Sequence, residues 1–157
     1  MELTEHPGVD PEPPALRIGP TLIPYTAVDW KAPGLPALSK DDSQELSKVW
    51  SIVGGNRLSF ELSSLVPPAA FEVAIFRGNL AEIDPTGPPD AAIDLLTSDL
   101  VTREKMSHGN RYSVDCTALG ISGEAVLGIF AQYYADPALF VERFTNTVGW
   151  IVSIQSS

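Results

Sequence analysis

TVGWIVSIQ, residues Thr147–Gln155, decides the fold. Val148, Trp150, Val152 and Ile154 alternate with Gly149, Ile151, Ser153 and Gln155. Side chains two residues apart share a face only when the backbone is extended, so this stretch predicts a strand with one face in a core. The same period recurs upstream. Leu58, Phe60 and Leu62 alternate with Ser59, Glu61 and Ser63, and Phe71, Val73 and Ile75 oppose Glu72, Ala74 and Phe76. Gly54-Gly55-Asn56 predicts a turn after a strand at 49–53. Gly78-Asn79 ends the 71–76 strand, and DPTGPPD at 84–90 reads as a loop.

The remaining stretches fill in around these strands. GEAVLGIFAQYYA, residues 123–135, is apolar on both faces and predicts a central strand buried on both sides. RYSVDC at 111–116 follows a turn at Ser107-His108-Gly109-Asn110, which predicts a hairpin with Tyr112, Val114 and Cys116 facing the core. Residues 91–106 admit either a helix capped by Asp90 or two strands, and strands are preferred. ALFVERF at 138–144 reads as a strand or a short helix, and Ser39-Lys40-Asp41-Asp42 has the form of a capping box before a helical turn at 44–46. Many short strands, regular turn signals and no long amphipathic helix predict an all-β fold: an antiparallel β-sandwich over residues 41–157, jelly-roll or immunoglobulin-like. The Cys/Trp/Cys framework of antibody domains is absent.

The N-terminal segment differs. Eight of the 14 prolines lie at positions 7, 11, 13, 14, 20, 24, 33 and 36. Each fixes its own φ and pushes the preceding residue towards extended geometry. Residues 1–40 are therefore expected to form an extended, proline-rich arm outside the sandwich. Its second half is apolar: Leu16, Ile18, Leu22, Ile23, Tyr25, Val28 and Trp30. Such groups cost about 1.5–3 kcal/mol each to leave in water, which predicts that these seven side chains form a protein interface on a neighbouring subunit.

Composition narrows the functions. Twenty acidic residues against 10 basic give a formal net charge of −10. That argues against a nucleic-acid partner, whose phosphates demand lysine and arginine, and against docking to an anionic membrane. The single cysteine, Cys116, allows no intrachain disulfide. No apolar run approaches the ~20 residues of a membrane helix. The start, MELTEHPG, has no basic and apolar leader, so a soluble protein made in the cytoplasm is expected.

Chemistry-bearing motifs are sparse. The chain has no phosphate loop, dinucleotide fingerprint or Gly-x-Ser-x-Gly elbow. His6 lies in the arm, and His108 at a turn tip has neither an orienting partner nor a shielded nucleophile nearby in sequence. Glu82, Asp84 and Asp90 flank a loop and read as a solvated acidic cluster rather than a calcium site, because EF-hand spacing is absent. Glu61, Glu72 and Glu142 are the strand-borne glutamates that paired-carboxylate chemistry would use, and each reads more simply as an outward strand residue. Cys116 sits at a core position and reads as a small buried apolar group.

No catalytic, metal or cofactor residues are therefore expected. A rigid sandwich with an apolar arm predicts a structural or assembly protein: a homo-oligomeric virion subunit of the capsid-decoration or cement type, or part of a comparable particle. Its partners would be protein subunits, with no nucleic acid and no membrane insertion. The alternatives are a non-catalytic carbohydrate- or receptor-binding sandwich, for which Tyr133-Tyr134 supplies an aromatic candidate, and, third, a jelly-roll enzyme.

Overall fold

The computed structural model describes residues 13–25, 27–30, 38–40, 50–54, 57–63, 68–78, 83, 87–107, 109–121, 123–134 and 145–156. The described residues form twelve strands and one short 3₁₀ turn at Thr117–Leu119. The strands are β1 (Ala15–Ile18), β2 (Thr21–Ile23), β3 (Ala27–Trp30), β4 (Leu38–Lys40), β5 (Trp50–Gly54) and β6 (Arg57–Ser63). They continue as β7 (Ala70–Arg77), β8 (Ala91–Asp94), β9 (Thr102–Met106), β10 (Gly109–Asp115), β11 (Glu124–Tyr134) and β12 (Thr145–Ser156).

They make two sheets. The smaller runs in the order β2-β1-β6-β10-β9, antiparallel throughout. The larger runs β4-β3-β12-β11-β7-β8, also antiparallel, with β5 added alongside the second half of β12 in the one parallel pairing. A single hydrophobic core holds inward residues of both sheets, among them Leu58, Phe60 and Leu62 of β6, Val114 of β10, Val73 and Ile75 of β7, and Trp150 and Val152 of β12. Phe71 and Tyr112 meet edge-on across it, ring centroids 5.0 Å apart. The fold is all-β and sandwich-like, as the period-2 stretches predict.

Several local expectations match. β6, β7, β10 and β12 bury the alternating positions named above. Residues 91–106 contain two strands, β8 and β9, rather than a helix. Between them, Arg103 donates to the carbonyls of Leu95, Ser98 and Val101 and so closes the connecting loop. The helical turn at 44–46, the element at 138–144, and His6, Glu82, Asp84, His108 and Glu142 lie outside the described residues.

One expectation is corrected. Residues 15–30 are not an arm apart from the sandwich but three of its strands, so a boundary at residue 40 cuts through the core. Leu16, Ile18 and Ile23 pack inside the smaller sheet, and Val28 and Trp30 inside the larger. Trp30 is 2% exposed and lies edge-on to Tyr133 of β11, 5.3 Å between ring centroids. The prolines permit this because of where they fall. Pro13 and Pro14 precede β1, Pro20 lies in the β1–β2 turn, and Pro24 follows β2. None of these four occupies a ladder position, so none removes a sheet hydrogen bond. Gly19 supplies φ +60° at the first position of that two-residue turn, as a Gly-first hairpin turn requires.

Candidate interaction face

Each sheet turns its second face outward, and the two faces differ in chemistry. The smaller sheet's is a charged ladder. Register places Arg17, Glu61, Arg111 and Glu104 in one row across β1, β6, β10 and β9. Arg111 bridges Glu61 at 3.0 Å and Glu104 at 3.3 Å. The next row joins the Ser59 and Ser113 hydroxyls at 3.1 Å, and beyond it Arg57 reaches both Asp115 at 2.9 Å and Thr102 at 3.1 Å. These partly exposed pairs contribute little stability each, on the order of 0–1 kcal/mol. Their effect is to keep this face hydrated. A shallow cleft of about 400 Å³ lies at its β1–β2 end, over Arg17, Leu22, Glu61 and Met106. A second, of about 500 Å³, lies between β8 and the 3₁₀ turn.

The larger sheet's outer face is built from the other register of β7, β11, β12 and β3. Its apolar residues are Ala74 and Phe76, then Val126, Gly128 and Phe130, then Gly149 and Ile151, then Ala27, and Glu72, Gln132, Thr147 and Ser153 share the same registers. Phe76, Val126 and Ile151 form a second small cluster, with Ile83 packed on them. Phe130 is left outside that cover, 40% exposed. Its cross-strand neighbour on β12 is Gly149, and Gly128 precedes it by two residues on the same face.

Those glycines are informative. Neither has the positive φ that only glycine tolerates easily, and a Cβ at either would meet its neighbours at ordinary contact distance: 3.8 Å from Phe76 at Gly128, 3.6 Å from the Ile129 carbonyl at Gly149. The sheet has room for alanine at both positions. A glycine in a strand interior weakens the strand, and such glycines often mark a bulge, a bend or the close approach of a ligand or another backbone. With Ala27, Ala74 and Ala92 they place small residues in the registers around the exposed Phe130 ring.

The seven residues expected as an interface fare differently. Leu16, Ile18, Ile23, Val28 and Trp30 are buried in their own chain, and Tyr25 packs against the same core. Only Leu22, 49% exposed, faces outward, over the charged ladder. Of the tyrosines considered for sugar stacking, Tyr133 is buried against Trp30. Glu61 is engaged by Arg111, Asp90 accepts the Arg77 backbone N–H at 2.7 Å, and Cys116 is buried in the core. Among the described residues no three His, Cys, Asp or Glu side chains gather as a metal site, and no helix is long and apolar enough to cross a membrane. Burial raises the Tyr112 phenol above its usual range, partly offset by the positive charge of Arg103. The sequence marks Phe130 only as one residue of a strand apolar on both sides. Ile83 packs on the cluster of Phe76, Val126 and Ile151 while Phe130 stays exposed, a difference no local pattern encodes.

Comparison with known proteins finds no matching family model, no matching curated protein and no matching solved structure. The functional reading therefore rests on the geometry of the two faces.

Proposed function

We propose that this chain is an immunoglobulin-like sandwich that works by docking another protein on the outer face of its larger sheet, in an assembly or binding role without catalysis. The strand order supports the topology. Immunoglobulin sandwiches order their strands A-B-E-D in one sheet and C′-C-F-G in the other. Here β1-β6-β10-β9 and β8-β7-β11-β12 follow those orders in chain sequence.

The observation that carries the docking role is the exposed Phe130 ring beside two glycines at which a Cβ would fit. A partly exposed aromatic among small residues is the form of an interface anchor. This retains the assembly role expected from the sequence and moves its interface. The narrower setting, a virion or comparable particle, depended on residues 15–30 as a free arm and loses that support.

The test is site-specific photo-cross-linking in the cells that make the protein, with the probe at position 130 or, on the opposite face, at position 22. The reading expects a discrete adduct with one other polypeptide from position 130 and none from position 22. Adducts from position 22 alone, or from neither, contradict it.

A further inference from the structure

The face has a sign as well as a shape. Four acids occupy its outward registers: Asp29 on β3, Glu72 on β7, Asp94 on β8 and Glu124 on β11. Among the described residues no lysine or arginine shares those registers. Arg77 and Lys40 lie in register with the inward residues Ala125 and Val28. Arg17, Arg57, Arg103, Lys105 and Arg111 all belong to the smaller sheet. Among the described residues the charges in the outward registers of this sheet are thus all negative, on a chain of net charge −10.

Three occupants can be weighed. A second copy presenting the same face would bring acid against acid, and like charges across an interface are costly. The chain's own first twelve residues carry Glu2, Glu5, Asp10 and Glu12 and no lysine or arginine, so they are repelled in the same way. A surface with an apolar centre and a basic rim meets both parts of the face. Resting on the docking role proposed above, we infer that the partner is a basic protein element, with apolar groups set against Phe130 and lysines or arginines against Asp29, Glu72 and Glu124. Opposite charge steers its approach, and burial around Phe130 sets its residence.

The test uses synthetic amphipathic helices about 14 residues long, a size suited to a groove or face. One pairs leucine with lysine, a second pairs leucine with glutamate, and a third replaces leucine by serine on the lysine background. Each is titrated against the full chain and against Phe130→Ser, Glu72→Lys and Leu22→Ser, with melting curves to show that every variant folds. The inference expects the leucine–lysine peptide to bind, at least tenfold more weakly to Phe130→Ser and Glu72→Lys and within twofold to Leu22→Ser. Binding should weaken about tenfold or less between low and physiological salt, because contacts around Phe130 persist when charge is screened. Equal binding of the leucine–glutamate peptide, still lost in Phe130→Ser, overturns the basic partner and leaves the docking face standing. Binding of the serine–lysine peptide as tightly as the leucine one, unaffected by Phe130→Ser, removes both. Self-association of the full chain that Phe130→Ser abolishes assigns the face to a second copy and overturns the inference.

Discussion

Replacing Trp30 by alanine separates a strand of the core from an arm on a neighbour. The ring is 2% exposed and packs edge-on against Tyr133. Truncating a buried tryptophan costs about 3–5 kcal/mol, from lost transfer energy plus the cavity left behind. β3 is short, pairing with β12 at only Asp29, Val28 and Ala27, so it can settle part-way into the space. A loss of about 3–4 kcal/mol follows, from the lower part of that range. For a chain of this size each kcal/mol moves the melting temperature by about 2–4 °C, so the midpoint should fall by about 6–16 °C. Circular dichroism melting and sedimentation of the same samples make the assay. Leu22→Ala is the control, since its side chain is half in water and its loss should stay within about 0.5 kcal/mol. If Trp30→Ala melts with the parent while the sedimenting mass drops, the ring covers a neighbour and the placement of β3 in the core is wrong.

Other outcomes follow from single positions. Gly109→Ala drives a Cβ into the Leu62 backbone carbonyl at φ +146°, a backbone clash no side-chain rotation relieves, and should destabilise by more than about 2 kcal/mol in urea melts. Gly19→Ala, at φ +60° with open space around it, should lose only about 1 kcal/mol in the same melts. The Tyr112 phenol is held neutral by burial, so its contribution to stability is complete below the unfolded tyrosine pKa of about 10. It is lost as pH rises through the folded value, and Tyr112→Phe should flatten that alkaline decline in urea midpoints. The Cys116 thiol, buried in the core, should resist an aromatic disulfide reagent in the native protein and react once in denaturant; rapid native reaction contradicts its placement.

The legible parts of this fold are those where period 2 lasts. β6, β7 and β12 repeat the alternation over several residues, and their inward and outward sides read directly from Leu58, Val73 and Trp150. β1, β2 and β3 hold three or four residues each, too few to show a period, and proline density suggests a free chain. What that density conceals is position: a proline between strands costs no ladder hydrogen bond, whereas one within a strand does. Sheet membership is equally hidden. β5 and β6 are separated by two residues yet join different sheets, because β5 pairs with the distant second half of β12. The interaction face is non-local in the same sense. Val126 and Phe130 have the same outward register on one strand, and Ile83 packs with the cluster around Val126 while Phe130 stays open.

Joint replacement of Gly128 and Gly149 by alanine probes the docking face most directly, read by melting and by cross-linking from position 130. Since both Cβ atoms fit, the midpoint should hold or rise, as strand glycines generally weaken a sheet by about 0.5–1 kcal/mol. The cross-link yield should fall several-fold, because the added Cβ atoms keep the partner's backbone away. A lower midpoint with undiminished cross-linking would mean that the glycines serve the fold and not the approach of a partner's backbone.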